Sequence, residues 1–286
     1  FTVTNVNDSG AGSLRQAIED ANTNGNPSDQ DVIEFNIGGA GTRTITASSN
    51  MTISQSVLID GFTQSDASLN TSTFPDPLNG VIRIQIYFNT GNGFNVTGTK
   101  VTLQGIAAYQ PAAYGDPFDP ILKVDSADDF ELFGSYIGAD FTGLNSYTVA
   151  DIDRDGMIEI INSSGVKLGS GNDGDRNIFG MCGGACGYSK DSTDLIVQGN
   201  NVGVGADGLS PFYGDSGFDK LGIFLDSGSD DALIGGQSAS EGNYFYYLSW
   251  GALYAQDISN LSVYANLFYR NSPVMPDRDN PSFRTG

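Results

Sequence analysis

A right-handed parallel β-helix is the fold class this sequence predicts, and three observations predict it. Seven stretches overlie one another in register, each with two short apolar-alternating runs closed by a small residue: Gly61, Gly105, Gly134, Gly169, Gly199, Gly235 and Ala265. From Gly105 onward the steps are 29, 35, 30, 36 and 30 residues, so the larger unit is a two-coil repeat of 65 to 66 residues. A fixed period is the mark of a solenoid. Within the copies, such as 121–134 and 221–235, apolar residues alternate with polar ones as in strands. Asp, Asn, Ser and Gly stand between the two runs, where turns want them. One coil cannot bury its own apolar face. Stacked about 4.8 Å apart, coils gain parallel partners above and below and enclose a dry interior.

The elements follow in chain order. Ser13-Leu-Arg-Gln16 has a capping-box pattern, in which the Ser hydroxyl caps and Gln16 reaches back. Leu14, Ala17, Ile18 and Ala21 then share one helical face, which predicts an amphipathic helix over 13–22. Asn24-Gly25-Asn26-Pro27 ends it, and a short strand follows at 31–37. Because an open solenoid end exposes unpaired backbone and core, the helix is expected to be a lid. Residues 1–48 are therefore read as an N-terminal cap and 49–270 as about seven coils. Residues 271–286, with three prolines, are read as an extended C-terminal arm. In the two long intervals an Asn lies nine residues after Leu168 or Ile234, at Asn177 and Asn243. It reads either as a ladder between coils two apart or as a turn residue.

Composition bounds the function. The formal charge of −21 and the pI near 4.1 exclude nucleic acid as a partner, since phosphates need Lys and Arg. They also disfavour anionic membranes and anionic polysaccharides unless cations bridge. No apolar run approaches the roughly 18 residues of a spanning helix, so no transmembrane segment is expected. The first residue is Phe1 rather than Met, which fits a removed signal peptide or a trimmed chain. Richness in Gly and Asn with few Lys suits an extracellular solenoid.

Several side-chain groups carry candidate chemistry. Asp151-Ile-Asp-Arg-Asp-Gly-Met-Ile-Glu159 has the D-x-D-x-D-G spacing of a calcium loop. Asp151, Asp153 and Asp155 with the Met157 carbonyl are the expected Ca²⁺ ligands. Position twelve is Asn162 rather than Glu, which leaves the set incomplete unless Glu159 or a neighbouring loop helps; a solvated acidic turn is the alternative. Cys182 and Cys186 are expected to form a small disulfide in a Gly-rich turn; a metal pair or free thiols are the rivals. Asp129, Asp194 and Asp230 each lie five residues before their closing Gly, and acids on neighbouring coils suit glycoside hydrolysis. Against catalysis, no His supports them, and Asp is the default turn residue. Six N-x-S/T sequons, at Asn7, Asn50, Asn70, Asn95, Asn162 and Asn260, are candidate glycosylation sites.

The opening, residues 2–18 with Gly12-Ser-Leu-Arg-Gln-Ala17, resembles the N-terminal module of bacterial surface proteins with right-handed parallel β-helix repeats. That module often carries a Cys-Ser-Leu-Arg-Glu-Ala signature; here Gly12 replaces the Cys and Gln16 the Glu. Residues 57–64 are similar to the family's first coil, 134–143 and more loosely 199–203 to its recurring segment, and 174–179 to its closing segment. The resemblance spans roughly 1–270. It implies a fold and a cell-surface setting, and no catalytic residues. The expectation is a secreted or surface-displayed structural or adhesive protein. It is expected to assemble as a homo-oligomer or filament through its solenoid ends, with the 271–286 arm across a neighbour. Two other classes stay open. A polysaccharide-active hydrolase or lyase needs a groove of converging acids. A glycan-binding module needs outward aromatics, which Tyr244, Phe245, Tyr246, Tyr247 and Trp250 are placed to supply.

Overall fold

The protein is described by a computed structural model over residues 1–25, 29–90, 93–110, 120–146, 157–180, 184–212 and 220–271. Its strands fall into three stacked sheets of nine, eight and seven strands, and every ladder between them is parallel. The chain visits the sheets in fixed rotation. Asp31–Phe35 lies in the nine-stranded sheet, Arg43–Ala47 in the eight-stranded sheet and Met51–Ile53 in the seven-stranded sheet, and the next coil repeats the order. Seven complete coils result, the last ending at Gly251–Ala255, followed by two strands of an eighth, Ser262–Tyr264 and Leu267–Tyr269. This is a parallel β-helix. Asp31–Phe35 and Arg43–Ala47, inside the stretch 1–48 read as a cap, already belong to the first coil.

Alternation along each strand aims one residue inward per pair, and stacking turns these into columns. In the nine-stranded sheet the column runs Ile33, Ile59, Leu103, Leu132, Leu168, Val197, Ile234, Val263. In the eight-stranded sheet it runs Ile45, Ile86, Ala108, Ile137, Phe179, Val202, Phe245, Phe268. All but Val263 and Phe268, on the last coil, are buried. Antiparallel contacts among the described residues are isolated bridges, Ser68–Val81, Ala139–Ser146 and Val204–Pro211, at excursions from the stack.

The helix spans Leu14–Thr23 and buries Leu14, Ala17, Ile18 and Ala21 against the first strands, so the expected lid is present. Only half the capping box forms. The Ser13 hydroxyl accepts from the Gln16 amide at 3.2 Å, but the Gln16 side chain donates forward to Asp20 at 2.8 Å.

The closing residues explain the period. Gly105, Gly134, Gly169, Gly199, Gly235 and Ala265 all take left-handed φ, between 51° and 85°. Space matters as much as φ: a Cβ on Gly61 would lie 2.1 Å from the Gly105 carbonyl oxygen of the next coil.

Just beyond this corner an asparagine ladder runs through the interior. Asn177 Nδ2 donates to Asn200 Oδ1, Asn200 to Asn243, and Asn243 to Asn266, each at 2.9 Å. Each amide also donates to a carbonyl of the coil before, at 2.7–2.9 Å, as Asn200 does to Leu168. The ladder therefore joins consecutive coils, not coils two apart. On short turns Asn200 and Asn266 follow Gly199 and Ala265 directly. On long turns the 3-10 segments Asp173–Asp175 and Ala239–Glu241 intervene before Asn177 and Asn243.

One excursion leaves the second coil after Val57–Asp60 and runs along the outside of the stack. Arg176, 1% exposed, donates to the carbonyls of Asp76 at 2.9 Å and Ser72 at 3.2 Å, with its guanidinium over the Phe74 ring. Asn70 donates to the Asp173 carbonyl at 2.7 Å, and the Leu78 amide to the Ala206 carbonyl at 2.7 Å. Under it and its neighbours, Ile82, Ala107, Tyr136, Ile178, Ala206 and Phe212 form a second, smaller apolar cluster on the outer face of the eight-stranded sheet.

Candidate functional site

The acidic edge resolves into turn geometry. Strand pairing sets Leu132, Leu168, Val197 and Ile234 in one row. Three residues before each lies a corner residue with left-handed φ: Asp129 at 55°, Gly165 at 68°, Asp194 at 57° and Asp231 at 59°. Asp230 is thus one residue out of the column in which counting back from Gly235 places it, because Gly235 closes its turn one residue early. Gly165 separates Asp129 from Asp194 by two coil rises, about 10 Å. The Asp230 carboxylate accepts the Ser259 amide at 2.6 Å, and Asp231 accepts the Asn260 amide at 2.9 Å. Asp129, Asp194 and Asp231 are the acids a left-handed corner favours, since Asp tolerates that φ at little cost.

Of the calcium set, Asp151, Asp153 and Asp155 lie outside the described residues. Met157, Glu159 and Asn162 lie within them and do not converge. Ile158–Ile161 is an extended strand, so Asn162 stands at its far end, about 16 Å from Met157 at roughly 3.3 Å per residue. The Met157 carbonyl accepts the Leu122 amide at 3.1 Å. Glu159 faces Lys123 at 3.5 Å on the outer face of the seven-stranded sheet. Burial pulls the Lys123 ammonium down, but Glu159 and Asp125 more than offset this and hold it above the usual lysine value. Asn162 therefore stands apart from Met157 and Glu159 along the strand Ile158–Ile161.

Cys186 is buried in the strand Ala185–Lys190, and Cys182 lies outside the described residues. Among the sequons, Asn7, Asn50, Asn162 and Asn260 are exposed and Asn95 is half-buried. Asn70 is 5% exposed with its amide donating to Ser72 and Asp173, so it offers no acceptor for a glycan in the folded chain.

The aromatics sort by the pleat. Phe245 is fully buried in the inward column, whereas Tyr247 and Trp250 are exposed. Tyr244 and Tyr246 point outward, Tyr246 stacking on Tyr269 with ring centroids 5.3 Å apart. Among the described residues, the excursions that cover the eight-stranded sheet end beside its last two strands, Tyr244–Tyr246 and Leu267–Tyr269. A groove of about 390 Å³ opens there, with Asp76, Asp207 and Leu209 on its lips and Tyr244, Leu267 and Tyr269 in its floor. Both lips are anchored, one by Arg176 and the other by Asp207, whose carboxylate accepts the amides of Leu209 at 3.0 Å and Ser210 at 2.8 Å. Burial pushes the Asp207 carboxyl up, but these bonds outweigh it and hold it below the usual carboxylate value. Burial, with Tyr246 and Tyr269 nearby, pushes the Tyr244 phenol up, so its hydroxyl stays a donor.

A second aromatic file, Tyr188, Phe224 and Tyr254, runs down the outer face of the seven-stranded sheet, with centroids 5.2 and 5.0 Å apart. Its steps of 36 and 30 residues are those of the closing residues, which is the signal that would have found it.

No protein-family model matches the sequence, and no curated protein matches it. Two solved structures are similar in overall course. PfbA, a surface adhesin of Streptococcus pneumoniae, is 10% identical, with 94% of this chain and 92% of that chain covered and a TM-score of 0.23. ORF18 of Geobacillus virus E2 is 12% identical, covering 94% of this chain and 61% of that one, also with a TM-score of 0.23. Likenesses this slight bear on nothing further about this chain.

Proposed function

We propose that this chain is an extracellular, surface-displayed solenoid with a structural or adhesive role and no catalytic one. The observation that carries the reading is the end of the eight-stranded sheet, where Leu267, Phe268 and Tyr269 are exposed and the Asp207, Asp230 and Asp231 carboxylates are held by hydrogen bonds. The strongly acidic, Gly- and Asn-rich composition supports an extracellular setting; a Cys182–Cys186 disulfide is part of the proposal, and the Cys186 thiol is not free. No helix among the described residues is long and apolar enough to cross a membrane. Two measurements test the reading. Brief proteolysis of intact source cells should release the chain. Plant, algal and bacterial polysaccharides should yield neither reducing ends nor unsaturated products. Turnover that is lost on Asp230→Asn or Asp231→Asn would replace the adhesive reading with an enzyme.

End-to-end assembly belongs to the same proposal. It is supported by the last coil, whose column residue Phe268 is 49% exposed while Phe245 beneath it is buried. At the other end the helix Leu14–Thr23 packs on the first coil, where Thr2–Val3, Arg43–Ala47 and Met51–Ile53 are the edge strands of the three sheets. Light scattering on the full chain and on a chain lacking 271–286 tests it. A polymer that becomes monomeric on deletion supports assembly, and a native monomer at high concentration ends it.

A further inference from the structure

The groove at the end of the eight-stranded sheet has both lips held in place by the fold. Its lips come from excursions of two distant coils, and a fully buried arginine is spent on holding one of them. Such a lip is set before any ligand arrives, which lowers the ordering cost of binding. The volume, about 390 Å³, lies in the lower range of small-ligand sites. The floor includes two outward tyrosine rings, Tyr244 and Tyr269, whose hydroxyls take no hydrogen bond among the described residues. The Asp76 carboxylate beside them likewise has none. Tyrosine offers a rigid apolar face with a polar tip and few rotamers to freeze.

From these features we propose that the groove binds a saccharide chain that is neutral or amino-bearing, the proposal resting on the adhesive reading above. A pyranose presents an apolar face of C–H groups, which matches the apolar floor of Tyr244 and Leu267; Tyr269 beside them is stacked on Tyr246 and carries the Arg270 guanidinium 5.4 Å from its ring centre. It presents hydroxyls at its edge, which match the Asp76 carboxylate and the two phenols. Uronate, sulfate and phosphate groups are disfavoured, since Asp76 and Asp207 flank the groove and the whole chain carries −21, although Arg270 lies over the Tyr269 ring. An amino sugar gains from the same two carboxylates.

The test is calorimetric titration of the full chain with cellotetraose, chitotetraose, the glucosamine tetramer and tetragalacturonate. At least one of the first three should bind with one-to-one stoichiometry, and tetragalacturonate should not. Tyr244→Ala should weaken the binding about tenfold or more. Leu209→Arg, at a lip residue that is 74% exposed, should block the groove while leaving the melting temperature unchanged. If Tyr244→Ala fails to fold, Leu209→Arg alone decides. The proposal falls if none of the three binds at millimolar concentration. It also falls if neither variant weakens binding, or if tetragalacturonate binds as well as the others. Absence of binding with surface release intact would remove the groove and keep the adhesive reading; turnover of any tetramer would remove that reading itself.

Discussion

Replacing Asn200 by Ala tests the asparagine ladder at its centre. The side chain is fully buried and makes four hydrogen bonds. It accepts from the Asn177 amide side chain at 2.9 Å and backbone at 3.4 Å, and donates to Leu168 O at 2.7 Å and Asn243 Oδ1 at 2.9 Å. Two partners survive the change. Leu168 O still accepts the Gln198 amide, and Asn243 Oδ1 still accepts the backbone amide of residue 200. The Asn177 backbone N–H and the Nδ2 hydrogen aimed at Asn200 lose their acceptor, although Nδ2 keeps its bond to Leu132 O, and each buried unpaired N–H costs about 1–3 kcal/mol. The expected loss is therefore about 3–4 kcal/mol, a large share of a typical stability of about 5–15 kcal/mol. Asn266→Ala is the control: it orphans the same two groups on Asn243, but at the last coil, where water replaces them, and should cost about 1 kcal/mol. Asn200→Asp should be worse than Ala at neutral pH, because a carboxylate would face two acceptors. Burial raises that carboxyl's folded pKa, so its penalty is relieved as pH falls and the acid protonates. Urea unfolding followed by circular dichroism, compared at unchanged m-value, measures all three. Equal losses for Asn200→Ala and Asn266→Ala, within about 0.5 kcal/mol, would refute the reasoning, since buried and wet ends of the ladder would then count alike.

Other outcomes are expected. Ala265→Gly should stabilise by about 0.5–1 kcal/mol, since Ala265 holds φ 51°, and the relief of left-handed strain exceeds the added unfolded-state entropy. Gly235→Ala should lose several kcal/mol in the same unfolding assay, because its Cβ would lie 1.9 Å from the Tyr264 carbonyl oxygen. Chelation should lower the melting temperature and Asp153→Ala should abolish that response; no effect on either protein ends the calcium proposal. Burial raises Tyr136 to about 12, so its proton is held more tightly folded than unfolded. Stability is therefore whole below pH 10 and lost as pH climbs toward 12, by about 2–3 kcal/mol in the limit. Tyr136→Phe should flatten that alkaline slope in pH-dependent unfolding.

The fold was legible because repetition multiplies a weak signal. One alternating run is ambiguous, but the same run closed by glycine in copy after copy is not. The lid was legible from Leu14, Ala17, Ile18 and Ala21 alone. What slipped was register within the repeat. Asn200 and Asn266 were overlooked because long turns carry a 3-10 insertion and short ones do not, so one column alternates steps of 23 and 43 residues. Asp230 was placed one residue off for a related reason: the glycine that marks a turn does not always sit at the same distance from the strand. The groove was hardly legible. Its aromatic floor could be guessed from Tyr244 to Trp250, but Asp76, Asp207 and Leu209 come from excursions that repeat nowhere, and only the folded chain brings them to one place.

The excursion fastened by Arg176 has a mechanical consequence. A plain stack, pulled from one end, should peel one coil at a time, each step releasing a similar length of chain. Here the second coil is tied directly to the fifth through Ser72 and Asp76, and to the sixth through Leu78 and Ala206. The tie runs parallel to the axis over about three to four rises, roughly 14–19 Å. Tension applied at the C-terminal side should first strip the seventh and eighth coils in small steps. It should then meet a block spanning residues 57–225 that bears load until the tie gives way and afterwards lengthens in one large event. A rod joined in this way resists shear in its middle and frays at its tip.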